Sequence, residues 1–203
     1  MSNHARGLWG YSGRTPEGQA LSIQSTGMGG PSAAIVLHEL AELGVKRAIR
    51  VGTCGALAED LEHGDLVIAG EALAEDGASR ALGAGEAAQP DAELTERLVS
   101  AVAGLAGPAR IVSTDLFYAT ATEDGGASAP GPDAWRRHGA VAVEMEAATL
   151  FTLGGLLGVA TACLLAVSDT FPGGRRRRIG DEQLAGATSR MGSAAAAALG
   201  AQP

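Results

Sequence analysis

Cysteine is scarce in this sequence, which has only Cys54 and Cys163 among its 203 residues. Both lie in apolar, strand-like segments, where a buried free thiol is the usual outcome, so we do not expect a disulfide framework. Positive charge is scarce as well, because 15 Lys and Arg residues stand against 23 Asp and Glu residues and leave a net charge of -8. This charge repels phosphate backbones and anionic lipid, so nucleic acid and membrane surfaces are not expected as partners.

Long apolar runs are also missing. The first six residues contain no apolar stretch of the kind that a secretory signal needs, and Gly, Thr or Ser interrupts the longest apolar runs before they reach membrane-spanning length. The sequence therefore predicts a cytoplasmic protein without a membrane partner. Its hydrophobic fraction of 46% is sufficient for a single compact domain over residues 1–203.

Strand and helix patterns alternate along the chain. Strands are predicted at 21–25, 48–51, 65–69, 110–113, 140–143 and 159–167, and helices at 31–43, 91–105, 144–158 and 181–199. The stretch 125–132 is predicted to be a surface loop. This alternation predicts an α/β fold, a three-layer αβα domain with a central mixed sheet, whose ligands gather at the carboxyl ends of strands.

Three loops rich in Gly, Ser or Thr are predicted to follow strands, at 26–30, 52–55 and 168–170. Glycine lets backbone N–H groups approach an anion, and the first loop opens a helix whose N-terminal end favours negative charge. A phosphate or a hydroxyl-rich ligand fits such loops. A tight turn between strand and helix also needs glycine for steric reasons alone, so both interpretations stand.

Several charged positions also have two interpretations. Arg50 lies in an apolar strand, where it needs an anionic partner unless that strand is an edge strand facing water. Glu144 and Glu146 stand at the start of a helix, where each carboxylate stabilises the first turn by roughly 0.3–1 kcal/mol. Asp169 follows a long apolar strand, as a cap or as a functional acid. The four arginines at 175–178 are more typical of a mobile solvated loop, although such a loop can close over an anion.

Six motifs follow one another in an informative order. They are Arg6-Gly7-x-x-Gly10-Tyr11-x-Gly13, Thr26 to Ser32, Ile49 to Ala56, Asp115 to Tyr118, Val143 to Ala148, and Val167 to Asp169. This order resembles that of the hexameric purine nucleoside and uridine phosphorylases, over about residues 5–199. The resemblance implies reversible phosphorolysis of purine nucleosides to a free base and ribose 1-phosphate. Inorganic phosphate is then the co-substrate, and no cofactor is needed.

The resemblance implies phosphate ligands that come from two subunits. Arg50 and Thr53 match phosphate-binding positions, and Arg6 matches an arginine that the neighbouring subunit lends. A site completed in this way needs a homodimer at least, or a hexamer built as a trimer of dimers. Family members also carry an upstream Gly-Asp-Pro-x-x-Arg loop for phosphate and a histidine for the neighbour's ribose. The sequence has no counterpart of either, and His4 does not match, so we expect an incomplete phosphate site.

Ribose and base positions follow from the same resemblance. The ribose contacts are Met28, Met145 and Glu146, and the Glu146 carboxylate accepts hydrogen bonds from the 2′- and 3′-hydroxyls. The base-binding positions are Phe117, Ser168 and Asp169. Asp169 resembles the acid that protonates the purine at N7, which neutralises the leaving group while phosphate attacks the ribose.

Alternatives remain for the base and for the reaction. Uridine-specific members carry a Gln and an Arg soon after the Phe-Tyr segment, and residues 119–124 contain neither, which favours a purine. The stretch 149–151 nevertheless resembles uridine-type members, so a uridine phosphorylase stays open. A hydrolase similar to the methylthioadenosine nucleosidases is a further alternative, although Arg50 favours phosphorolysis. The last is a non-catalytic nucleoside-binding protein, because the upstream phosphate loop is absent.

Overall fold

A computed structural model describes residues 3–15, 18–103, 106–117, 131–172 and 175–200. The strands are β1 (Gly10–Arg14), β2 (Ala20–Gln24), β3 (Arg47–Ala56), β4 (Leu66–Glu75), β5 (Ala87–Ala88), β6 (Pro108–Thr114), β7 (Ala142–Glu144), β8 (Ala160–Thr170) and β9 (Arg177–Arg178). The helices are α1 (Gly30–Glu42), α2 (Gly77–Ala81), α3 (Ala92–Ala101), α4 (Pro132–Arg137), α5 (Ala147–Leu157) and α6 (Asp181–Gly200). A 3₁₀ turn, Ala5–Gly7, precedes β1.

The strands from β3 onward form one mixed sheet in the order β5-β4-β6-β7-β3-β8-β9. β3 is an inner strand, antiparallel to β7 and parallel to β8. β4 pairs with β6 and also with β8, so the strands between them close into a ring. Helices α3 and α6 pack on one face of the sheet, and α1, α2 and α5 lie together on the other. The predicted α/β fold with a central mixed sheet is confirmed.

β8 shows how the apolar pattern sets the layers. Its residues from Thr161 to Asp169 are all buried. Cys163 and Leu165 belong to the core cluster that includes α5, whereas Leu164 and Ala166 belong to the cluster formed with α3 and α6. Alternate side chains of a strand point to opposite faces. The apolar run that predicted this strand therefore corresponds to burial on both faces.

Two predicted loops turn out to be strand. Residues 52–55 belong to β3 and residues 168–170 belong to β8, because the two strands pair as far as Gly55 and Asp169, and Thr170 pairs with Arg177 of β9. The register shifts between Cys54 and Gly55, which marks an irregularity where a loop was predicted. The predicted loop at 26–30 does connect a strand to a helix. The predicted loop at 125–132 falls mostly outside the described residues.

The N-terminal strand has a different partner from the one that the α/β pattern suggests. The predicted strand 21–25 forms as β2, which pairs with β1 in a separate antiparallel sheet of two strands. Tyr11 and Ile23 on this hairpin are exposed. A period of two identifies a strand and its two faces, but it does not identify the strand beside it.

Candidate active site

Three of the predicted site residues, Arg50, Glu146 and Asp169, lie on or next to β3, β7 and β8, which run side by side. Gly55 of β3 pairs with Val143 of β7 on one side and with Asp169 of β8 on the other. Glu144 is the last residue of β7, and Arg50 lies in the first half of β3. Pairing in the sheet therefore brings together segments that are about a hundred residues apart in the sequence.

Arg50 bridges two carboxylates in the interior of the protein. Its Nε lies 2.9 Å from Oε2 of Glu144, and its Nη2 forms an ion pair with Oε2 of Glu146. The exposed fractions of these side chains are 13%, 0% and 6%, in the order Arg50, Glu144, Glu146. Burial by itself lowers the pKa of Arg50, but the surrounding negative charge, with Glu144 first, outweighs burial and leaves that pKa raised. The interpretation of Arg50 as an edge residue facing water is wrong, and its anionic partners are internal.

Gly52 makes room for this guanidinium. A β-carbon added to Gly52 would lie 2.9 Å from Nη1 of Arg50 and 3.0 Å from its Cζ. The Arg50 side chain therefore lies across Gly52 on the same face of β3, as expected two residues apart on a strand. A side chain at position 52 would displace the guanidinium from its carboxylates.

Both carboxylate oxygens of Glu144 accept hydrogen bonds from groups within the protein. Its Oε1 accepts hydrogen bonds from the Ser113 hydroxyl at 2.5 Å and from the Ala147 N–H at 3.0 Å. Its Oε2 accepts from Arg50 and from the N–H groups of Glu146 and Ala147. This carboxylate caps the start of α5, where unpaired N–H groups and the helix dipole favour negative charge. The helix-terminus interpretation is thus correct for Glu144. The predicted helix start at 144 is wrong, because Glu144 closes β7 and α5 begins at Ala147.

Glu146 occupies the N-cap position of α5, but its side chain makes no capping hydrogen bond. Its Oε1 instead accepts a hydrogen bond of 2.6 Å from the Gly29 N–H, and its Oε2 pairs with Arg50. Burial raises the pKa of Glu146; Arg50 opposes this shift and the charge of Glu144 reinforces it. The Glu146 carboxylate therefore links the loop at 26–30 to Arg50. Its side chain does not cap the start of α5, so the helix-terminus interpretation is wrong for Glu146.

The loop at 26–30, which leads from β2 into α1, contains two glycines with positive φ. Gly27 has φ +74° and Gly29 has φ +85°, a region that favours glycine. The backbone of this loop was predicted to approach an anion. Here that anion is the Glu146 carboxylate, which accepts from the Gly29 N–H. Met28, predicted to contact ribose, lies between these glycines and is 86% exposed. Met145, the other predicted methionine contact, is half-buried between Glu144 and Glu146.

A second cluster is centred on Asp169. Oδ1 of Asp169 accepts a hydrogen bond of 2.6 Å from Arg176 Nε, and Oδ2 accepts one of 2.7 Å from the Ser168 hydroxyl. The Arg176 guanidinium also lies over the ring of Phe117, 4.9 Å from its centroid, which is a cation–π distance. Phe117 is 55% exposed, whereas Asp169 is buried. Arg176 thus links Asp169 to Phe117, and Ser168 joins them through its own hydrogen bond to Asp169.

Arg176 contacts two predicted site residues, Asp169 and Phe117, but was not itself predicted to do so. The run at 175–178 was interpreted as more typical of a solvated loop, although able to close over an anion, and composition does not indicate which of its four arginines contacts Asp169. The short strand β9 supplies the reason, because Arg178 pairs with Asp169 and Arg177 with Thr170 at the end of β8. That pairing brings Arg176 next to the Asp169 carboxylate. In the sequence, the available signal for this contact was the position of Asp169 at the end of a predicted strand.

Cys54 lies beside the Asp169 cluster, since its carbonyl oxygen accepts a hydrogen bond of 3.3 Å from the Ser168 hydroxyl. Burial raises the pKa of its thiol to about 12, and the charges of Glu144, Arg50 and Asp169 also act on it. Cys54 shares β3 with Arg50, and it pairs with Val167 of β8, two residues before Asp169. Cys54 and Cys163 are free and buried, as predicted.

The two remaining predicted phosphate ligands lie outside these clusters. Thr53 has an exposed side chain on β3, and Arg6 lies exposed in the N-terminal 3₁₀ turn with φ +55°. In the described part of the chain, no group of three or more His, Cys, Asp or Glu residues is arranged to hold a metal ion. None of the helices in that part has the length and apolar character needed to cross a membrane.

Comparison with known proteins gives consistent matches. Residues 2–201 match a family model described as the phosphorylase superfamily. The chain is 36% identical to a DeoD-type purine nucleoside phosphorylase of Geobacillus kaustophilus, over 82% of this chain and 70% of the relative. It is 38% identical to the protein of the same name from Clostridium novyi, over 83% and 71%. It is also 38% identical to a guanosine phosphorylase of Halorubrum lacusprofundi, over 79% and 66%.

Proposed function

The chain belongs to the phosphorylase superfamily, and on this premise we propose that it catalyses the reversible phosphorolysis of purine nucleosides to a free base and ribose 1-phosphate. Inorganic phosphate is the co-substrate, and no cofactor takes part. The observation that carries the proposal is the ion pair between Arg50 and Glu146. It sets a cation suited to phosphate beside a carboxylate suited to ribose hydroxyls, so both reactants are bound at one point.

Arg50 serves phosphate without releasing its carboxylates. A guanidinium carries more N–H donors than the contacts to Glu144 and Glu146 use. The remaining donors bind the phosphate dianion, together with Thr53 and, from a neighbouring subunit, Arg6. Glu146 accepts hydrogen bonds from the 2′- and 3′-hydroxyls through the lone pairs that Gly29 and Arg50 leave open.

The reaction breaks the bond between C1′ of ribose and the base. A phosphate oxygen forms the new bond to C1′, and the electron pair of the broken bond passes to the base. Asp169, in its acid form, gives its proton to N7 of the purine, which neutralises the leaving group. Ser168 and Arg176 hold the Asp169 carboxyl in place through hydrogen bonds to its two oxygens. Phe117 and Met145 flank the base and the sugar.

Two features support a purine over uracil. Similar proteins are named purine nucleoside phosphorylase and guanosine phosphorylase, and residues 119–124, which lie outside the described residues, contain neither Gln nor Arg. Thr149, part of the segment that resembles uridine-type members, is buried and donates its hydroxyl hydrogen to Asp76. This residue therefore makes no contact with a base.

The proposal includes a cytoplasmic homo-oligomer, a dimer or a trimer of dimers. It is supported by the exposed position of Arg6 and by exposed apolar side chains on and near the β1–β2 hairpin, namely Trp9, Tyr11, Ile23 and Met28. Light scattering that shows a fully active monomer would contradict it.

The proposed function is tested with inosine, guanosine, adenosine and uridine, each with and without phosphate. We expect release of purine bases only when phosphate is present, and much slower cleavage of uridine. Base release at the same rate without phosphate indicates a hydrolase, and preferential cleavage of uridine contradicts the purine assignment.

A further inference from the structure

Asp76 is a buried carboxylate that the proposed reaction does not use. It follows β4, it is 0% exposed, and it caps the short helix α2 by accepting the Ser79 N–H at 2.7 Å. Oδ2 accepts the Ser79 hydroxyl at 2.6 Å, and Oδ1 accepts the Thr149 hydroxyl at 2.7 Å. Since Thr149 lies in the first turn of α5, Asp76 ties that turn to the end of β4.

Gly30, the first residue of α1, lies directly on the hydrogen bond between Thr149 and Asp76. A β-carbon added to Gly30 would lie 2.5 Å from the Thr149 Oγ1 and 3.0 Å from the Asp76 Oδ1. It would also lie 2.9 Å from the β-carbon of Ala78. These distances leave no space for a methyl group, so the backbone of α1 rests against the Thr149–Asp76 pair.

The same contact lies next to the predicted ribose site. Gly29, whose N–H donates to Glu146 at 2.6 Å, immediately precedes Gly30. On the other side, Glu146 precedes Thr149 by three residues, about one helical turn. The starts of α1 and α5 are therefore joined at two adjacent points, by Gly29 with Glu146 and by Gly30 with Thr149.

We propose that Thr149 and Asp76 are positioning residues that hold the Gly29 N–H against Glu146 and so orient the Glu146 carboxylate for the ribose hydroxyls. Neither residue touches substrate. The Thr149 hydroxyl stays directed at Asp76 because its partner is a buried carboxylate, and this fixes the surface on which Gly30 rests. The role of the oriented carboxylate rests on the proposed function, whereas the orientation itself is a property of the fold.

The variants for the test are Thr149→Val, Thr149→Ser and Ser79→Ala. Thr149→Val keeps the volume of the side chain and removes its hydroxyl, whereas Thr149→Ser keeps the hydroxyl. Ser79→Ala is the matched control, because it removes another buried hydrogen bond to the same Asp76 carboxylate. The three atoms nearest to an added β-carbon of Gly30 belong to Thr149, Ala78 and Asp76.

Nucleoside and phosphate KM values are measured for each variant, together with its thermal stability. For Thr149→Val we expect the nucleoside KM to rise by roughly 10-fold or more, with a smaller change in the phosphate KM, because misplaced binding groups cost about this much. Thr149→Ser restores the nucleoside KM. Ser79→Ala lowers stability but changes the nucleoside KM by less than Thr149→Val. Equal KM changes in Ser79→Ala and Thr149→Val, at equal loss of stability, would overturn the inference.

A second readout does not depend on activity. In protein labelled with ¹⁵N-glycine, the Gly29 amide proton should resonate downfield because it donates a short, charge-assisted hydrogen bond. Thr149→Val should move this resonance upfield, and Ser79→Ala should leave it in place. If the native enzyme cleaves no nucleoside, the proposed function fails, and the Gly29 resonance still decides the positioning role. A resonance that does not move in Thr149→Val overturns that role.

Discussion

Glu144 and Glu146 bind the same Arg50 guanidinium, yet their other hydrogen bonds point to different functions. Glu144 accepts from Ser113 and from the first N–H groups of α5, with a side chain that is 0% exposed. Glu146 accepts from Gly29 in the loop that opens α1. The contacts of Glu144 therefore stabilise the fold, whereas Glu146 is the carboxylate that we propose as the ribose ligand.

This difference predicts distinct effects for two matched substitutions. We expect Glu146→Gln to lower kcat/KM for inosine by roughly 10- to 100-fold, because the neutral amide accepts only through one oxygen and loses charge-assisted hydrogen bonds. Glu144→Gln should instead lower the free energy of unfolding by about 1–3 kcal/mol, since buried donors lose their acceptor. Steady-state kinetics and urea unfolding separate the two effects. Equal activity losses at equal folded fraction would mean that both carboxylates serve only the helix terminus.

Asp169 is predicted to be the general acid. Asp169→Asn should slow the cleavage of purine nucleosides by roughly 10²- to 10⁴-fold, the usual contribution of such a group. The amide retains a hydrogen bond to Ser168 but has no acidic proton to give. Single-turnover rates with saturating phosphate measure the chemical step. A variant that retains nearly full activity on every purine nucleoside would show that this assignment is wrong.

Arg176 should matter more than its neighbour in the sequence. Arg176→Gln removes the hydrogen bond to Asp169 and the contact with Phe117, so we expect a loss of at least about 10-fold in kcat/KM. Arg175→Gln changes an exposed side chain in the same run and should have little effect. Similar losses in both variants would point to the overall charge of the run and not to the Asp169 contact.

The raised pKa of Glu146 predicts an acid limit of activity. If the reaction needs Glu146 ionised, activity is present above this pKa and is lost as the pH falls through it. Because the charge of Arg50 lowers the pKa of Glu146, Arg50→Gln should move the acid limb of the kcat/KM profile to higher pH, whereas Arg50→Lys keeps the charge and should move it less. Arg110→Gln, at a surface ion pair, serves as the control. An unmoved acid limb in Arg50→Gln would rule out Glu146 as the titrating group.

The sequence predicted most elements because their patterns are local. The apolar run of β8, for example, depends on only a few neighbouring residues. Closure of the sheet through β4 and β8 was not predicted, because strand pairing depends on residues far apart in the sequence.

Only part of the site was predicted, because its remaining contacts also join residues far apart in the sequence. Glu146 and Asp169 stand in motifs that the resemblance assigned, and their assigned roles stay predictions. That Glu144 is the structural carboxylate depends on Ser113, thirty-one residues away, whose hydroxyl contacts it. Arg176 was missed because nothing in a run of four arginines marks the one that reaches Asp169.

The central claim is that phosphate, and not water, attacks the ribose. It is tested most directly by ³¹P NMR of a mixture of the enzyme, inosine and inorganic phosphate, with hypoxanthine measured in parallel. We predict that ribose 1-phosphate forms in equal amount to hypoxanthine and that hypoxanthine release stops when phosphate is left out. Hypoxanthine released together with free ribose in the absence of phosphate, or inosine left intact in its presence, would contradict the account.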